Sequence, residues 1–121
     1  MRNQPKYNFF KNTSYALNGM VDMIKTESSF KIELVIALIL LPVIVYIDAS
    51  LIHKALMFIT LMGMLIAEAI NSAIERVVDL VTLEHNEMAG RAKDVGSSVV
   101  FLSIFVFVGT WGLVIIDLLC K

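Results

Sequence analysis

Between Asp94 and Asp117 the chain runs for 22 residues, VGSSVVFLSIFVFVGTWGLVII, without a single charge. A helix needs about 20 apolar residues to cross a hydrocarbon core of about 30 Å. Inside that core only a helix or a closed barrel can satisfy its backbone hydrogen bonds. This one stretch therefore removes most folds open to a small chain. Two further apolar segments accompany it. The run LVIALILLPVIVYI, Leu34 to Ile47, has 14 uncharged residues and is extended by Phe30 to Glu33, with Lys31 and Glu33 reaching toward the headgroups. The run ALMFITLMGMLIA, Ala55 to Ala67, stops at Glu68, yet its helical apolar pattern continues through Ile70, Ile74, Val77 and Val78 to Leu83. Composition agrees, with 58% hydrophobic and 17% charged residues and a mean hydropathy of +0.79.

The expected fold is an all-α membrane protein, a single integral membrane domain over residues 1–121. Three transmembrane helices are expected over 29–48, 51–81 and 91–118, preceded by an interfacial amphipathic helix over 7–25. In that first helix Tyr7, Phe10, Leu17, Val21 and Ile24 share one face, with too little hydrophobicity to span. No h-region with a cleavage site precedes it, so a retained N-terminus is expected. The lone Cys120 excludes an intrachain disulfide, and a net charge of −1 offers no basic field for nucleic acid.

Basic residues set the expected orientation. Arg2, Lys6, Lys11, Lys25 and Lys31 precede the first span and Arg76, Arg91 and Lys93 flank the second connection, against Lys54 and Lys121 on the other side. Eight against two places the N-terminus in the cytoplasm and the C-terminus outside, with DASLIH as the external turn.

Against this apolar background the stretch EAINSAIERVVD, Glu68 to Asp79, is anomalous. At about 100° per residue, Glu68, Asn71, Glu75 and Asp79 fall at about 0°, −60°, −20° and +20°, one polar stripe with Ser72 beside it. Ile66, Ile70, Ala73 and Val77 occupy the opposite face. A helix entering near Leu51 leaves the core after about 20 residues, which places Glu68 just inside the hydrocarbon boundary and Glu75 and Asp79 at the interface. An ionisable group at such depth costs about 2.5–3.5 kcal/mol, so function is its default reading. The structural alternative is an interhelical pair with Arg76, Arg91 or Lys93. A second cluster follows in LEHNEMAGRAKDVGSS, where Lys93, Arg91, several acids and Gly90 offer donors and hard oxygens suited to a nucleotide phosphate and its metal, though charged turns also flank many membrane helices. No Walker, dinucleotide or protein-kinase motif occurs.

EAINSAIERVVD followed by GRAKDVGSS resembles the signature of the prokaryotic diacylglycerol kinase family, small three-span enzymes that phosphorylate a lipid alcohol with ATP and magnesium. The resemblance covers nearly the whole chain, including ESSFKIE before the first span and the tryptophan of the third. It implies that Glu68 is the general base, that Glu27 and Glu75 hold Mg2+, and that Tyr15, Glu27, Asn71, Glu75, Glu84, His85, Asn86, Lys93 and Asp94 contact ATP. Glu68, Ser98, Lys54 and Trp111 would meet the lipid substrate. It also implies a homotrimer with shared active sites in the bacterial inner membrane, with no nucleic-acid partner. Two positions depart from the family pattern: Asn8 stands where an arginine is usual, and the turn reads EHNE in place of EYHE.

Within the family the substrate could instead be undecaprenol, though GRAKDVGSS and NEMAG look closer to the diacylglycerol type. Outside it, a small proton or cation carrier would also use intramembrane carboxylates, and a structural assembly subunit would tolerate loss of Glu68. The remaining residues read plainly. His53 is interfacial, Pro42 kinks the first span, Trp111 anchors near the outer interface, the methionines fill gaps, and Glu33 and Asp48 bound the first span.

Overall fold

The computed structural model describes residues 6–121, so Arg2, counted above for orientation, lies outside the described residues. Four helices follow in order: α1 (Phe9–Thr26), α2 (Ser28–Tyr46), α3 (Leu51–Val81) and α4 (Glu87–Leu119). The last three are long and apolar enough to cross a membrane.

The helix ends have local causes. Asn8 Oδ1 accepts from Lys11 N–H and starts α1 at Phe9, two residues later than expected. Thr26 Oγ1 donates to the Asp22 carbonyl in the last turn of α1, and only Glu27, in extended conformation, separates α1 from α2. Ser50 Oγ accepts from His53 N–H at the start of α3. Asn86 Oδ1 accepts from Ala89 N–H, which begins α4 at Glu87, four residues before the expected 91, with the Glu87 carboxylate beside the positive end of the helix dipole.

The lengths matter for the site. At 1.5 Å per residue α2 is about 28 Å long, close to one hydrocarbon core, whereas α3 and α4 reach about 46 Å and about 50 Å. Both long helices therefore run well past the apolar layer, and the short 47–50 turn pins one end of α3 beside α2. The surplus lies largely at the opposite end, where α1 sits.

The core lies nearer the 47–50 end. Ala37 and Ile44 of α2, Met57, Leu61 and Met64 of α3, and Trp111 and Val114 of α4 form one buried cluster. Trp111 turns inward, where its indole Nε1 donates to the Met57 carbonyl at 3.1 Å and its ring packs at 5.0 Å from Phe107. This corrects the reading of Trp111 as an interfacial anchor: an indole N–H buried in an apolar bundle needs an acceptor, and a helix carbonyl supplies one. At the same end Lys54 Nζ donates to the Val45 carbonyl at 2.9 Å. His53 Nε2 meets Asp117 Oδ2 at 3.2 Å and so ties α3 to α4, which a purely interfacial histidine would not do.

Candidate active site

Among the described residues, those of polar or charged type that are buried as whole residues all lie in the polar stripe of α3. Glu68, Asn71 and Ser72 are 7%, 8% and 3% exposed. Asn71 Nδ2 donates to Glu75 Oε1 at 3.1 Å, one helical turn on. Its Oδ1 is buried without a partner and faces α4, where a Cβ on Gly96 would come within 2.6 Å of it. Only glycine lets α4 approach so closely.

Glu27 reaches the stripe from the break between α1 and α2. Ser72 Oγ donates to Glu27 Oε2, and Arg76 Nη2 lies 2.7 Å from the same oxygen. The helix break is what allows this: in a continuous helix Glu27 would be one more residue on a rotating surface, whereas an extended residue can aim across at α3. Glu68 has Glu27 and Glu75 as its charged neighbours, and no cation pairs with it among the described residues. The three cations considered as structural partners lie elsewhere. Arg76 pairs with Asp22 and Glu27, Lys93 Nζ sits 2.7 Å from Asp79 Oδ1, and Arg91 approaches the Met88 sulfur.

Glu33 belongs here too, although sequence reasoning treated it as a boundary residue. Its Oε2 is buried without a partner, and Glu68 is its charged neighbour. Spacing alone did not reveal it, because α2 is apolar on every side and only packing defines its inward face. Glu33 follows buried Phe30 by three residues and precedes buried Ala37 by four, so it shares their inward face.

Five of the nucleotide candidates, Tyr15, Glu84, His85, Asn86 and Lys93, line two separate clefts. One, of about 340 Å³, is lined by Asp79, Thr82, Glu84, His85, Asn86, Gly90 and Lys93 where α3 passes into α4. Asn86 spends its side-chain oxygen on the α4 cap. The other, of about 330 Å³, is lined by Lys6, Tyr7 and Asn8 just before the first helix and by Lys11, Asn12 and Tyr15 in its first turns. Tyr15 is thus not gathered with Glu84, His85, Asn86 and Lys93 in one pocket of the chain. Asp94 and Ser98 are exposed on α4, with Ser98 Oγ donating to the Asp94 carbonyl. Lys54 lies 14 residues before Glu68 on the same helix, about 21 Å along its axis, and Trp111 packs near that far end. Neither reaches the carboxylates.

Among the described residues no three His, Cys, Asp or Glu side chains converge as a ready metal cradle. The carboxylates nonetheless suit a hard divalent cation, because magnesium is held by one or two carboxylates together with substrate phosphates and its own waters. Glu27 and Glu75, the neighbours of Glu68, supply that number.

The family model for prokaryotic diacylglycerol kinase matches residues 14–115. A protein named diacylglycerol kinase from Haemophilus influenzae is 36% identical over 100 residues, 83% of this chain and 85% of its own length. The Escherichia coli K12 protein of the same name is 37% identical over 101 residues, 84% of this chain and 83% of its own. A Bacillus subtilis protein named undecaprenol kinase is 33% identical over 103 residues, 84% of each chain. With its three apolar helices and its stripe of buried acid and amide, the chain belongs to the prokaryotic diacylglycerol kinase family.

Proposed function

We propose that the chain is an ATP-dependent lipid kinase that transfers the γ-phosphate of ATP to the hydroxyl of 1,2-diacyl-sn-glycerol, giving phosphatidic acid and ADP. The observation that carries this reading is Glu68: a buried carboxylate on the second apolar helix, without a cation partner among the described residues, one side of a group that includes Glu27 and Glu75. A group so placed can accept the proton from a lipid alcohol as its oxygen attacks phosphorus. The P–O bond to ADP breaks as the new one forms, so the residues at the phosphates have only to position and neutralise.

Glu27 and Glu75 would hold Mg2+, which when bound offsets the negative charge that repels an attacking oxygen. Asn71 orients Glu75 through its amide. Lys93, held by Asp79 and with Glu75 as a further charged neighbour, would supply an ammonium for phosphoryl charge. Glu84, His85, Asn86 and Asp94 would meet the nucleotide at the start of α4, with Tyr15 completing its site from α1. Ser98 and the far-end pair Lys54 and Trp111 would bear on the lipid. Two clefts on separate elements argue for closure by another copy, and Gly109 and Gly112 on α4 have open space beside them, as close helix packing between copies requires. A homotrimer with shared sites fits both points. The balance of basic residues places α1 and the site in the cytoplasm and the C-terminus outside.

The Bacillus subtilis relative supports a second reading, undecaprenol as the lipid. A phosphorylation assay in mixed micelles with Mg-ATP should offer both lipids side by side. Diacylglycerol is expected to be the better substrate, and Glu68→Gln is expected to lower turnover by about 10²- to 10⁴-fold with far-UV circular dichroism unchanged. Phosphorylation of neither lipid by folded protein would overturn the kinase reading.

A further inference from the structure

Arg76 has no part in the chemistry above, yet it holds the polar network that ties α1 to α3. Its Nη2 lies 2.7 Å from Glu27 Oε2 and 3.1 Å from Thr26 Oγ1, while Nη1 pairs with the Asp22 carboxylate. Asp22 and Thr26 are one helical turn apart at the end of α1, and Glu27 is the extended residue just beyond them. One guanidinium thus serves two carboxylates, which only a planar fork with several donors does well.

A carboxylate oxygen already engaged by a guanidinium and a hydroxyl is a poorer ligand for a hard cation, because both partners must yield before the cation can take it. Divalent cation and guanidinium therefore compete for Glu27. Asp22 eases the exchange, since an arginine released by Glu27 keeps a charged partner instead of standing unpaired near the membrane surface. We propose that Arg76 is a positioning residue that holds Glu27 in competition with the divalent cation, and that Asp22 retains the guanidinium when Glu27 is taken by the metal. This rests on the assignment of Glu27 to the metal.

A merely structural bridge between α1 and α3 would move the Arg76 and Asp22 variants in the same direction, because each substitution loosens that bridge. A general field effect would give their substitutions opposite signs, but these would cancel when combined. Competition gives opposite signs and no cancellation, since Asp22 acts only through Arg76.

Mn2+ binding to the full chain in detergent micelles, titrated by electron paramagnetic resonance with a non-hydrolysable ATP analogue present, separates these cases. Glu27→Gln is expected to weaken binding at least tenfold. Arg76→Gln should tighten it about threefold and Asp22→Asn weaken it about threefold, the scale of a partly exposed ion pair. The double variant should follow Arg76→Gln. Should Arg76→Gln not fold, Arg76→Lys keeps the charge but loses the fork and should shift in the same direction by less. Unchanged Mn2+ binding in Glu27→Gln would remove the metal assignment and this inference together. If Glu27→Gln loses Mn2+ while the Arg76 and Asp22 variants move in one direction, stay still, or cancel in the double variant, the metal assignment stands and the competition is overturned.

Discussion

At the scale of single residues, the contact between Asn71 and Gly96 decides how the site is built. The Asn71 amide holds Glu75, and its other end lies where a side chain on residue 96 would have to be. Gly96→Ala would put a methyl group 2.6 Å from Asn71 Oδ1, well inside van der Waals contact. Either α4 retreats or Asn71 turns away from Glu75. The expected cost is about 1–3 kcal/mol of stability, with a fall in kinase turnover because Glu75 loses its orienting partner. Adding Asn71→Ala should restore the stability, measured by thermal unfolding in micelles, and leave turnover low. Recovery of both would mean that Asn71 matters only for packing. Sequence reasoning placed Asn71 in the stripe from helical phase alone, but the demand on Gly96 arises from a neighbouring helix. Glu33 shows the same limit: α2 is apolar on every side, so the inward face that Glu33 shares with Phe30 and Ala37 is set only by packing.

At the scale of helices, α3 does two jobs along one axis. Its first half contributes Met57, Leu61 and Met64 to the apolar core, and its second half carries the buried acid and amide. The division is visible in the sequence, since the apolar run ends at Glu68 while the helical pattern continues. The role of Trp111 is not. A tryptophan near the end of a span is as compatible with a headgroup anchor as with a core residue, and what distinguishes them is an acceptor on another helix. Trp111→Phe keeps a smaller aromatic ring and loses the bond to the Met57 carbonyl together with part of the indole's packing, with an expected loss of about 1–2 kcal/mol. Trp111→Ala also leaves a cavity and should cost about 3–5 kcal/mol. Unfolding by sodium dodecyl sulfate, followed by circular dichroism, gives both values. Because the ring packs at the end of the bundle away from Glu68, Trp111 would touch only the far end of the lipid, so the folded Trp111→Phe protein should keep near-wild-type turnover at saturating diacylglycerol with a raised KM for the lipid. An unchanged KM would remove Trp111 from the lipid contacts.

At the scale of the whole molecule, orientation gives the most direct check. Cys120 is the only cysteine, is exposed, and lies one residue from the C-terminus. In spheroplasts a membrane-impermeant maleimide is expected to label it without permeabilisation. Labelling only after lysis would invert the topology and place the carboxylates on the wrong side for cytosolic ATP. The number of apolar helices and the polar face of the second follow from the chain itself, because length and helical phase depend on local spacing. Partnership does not follow in the same way. Arg76 meets Asp22 and Glu27 across 54 and 49 residues, Lys93 takes Asp79 instead of Glu68, and the Trp111 indole finds a carbonyl 54 residues away. Helical phase tells a side chain which way to point. Which group it meets there depends on how close the helices come and where α1 breaks from α2, and those distances exist only once the bundle has packed.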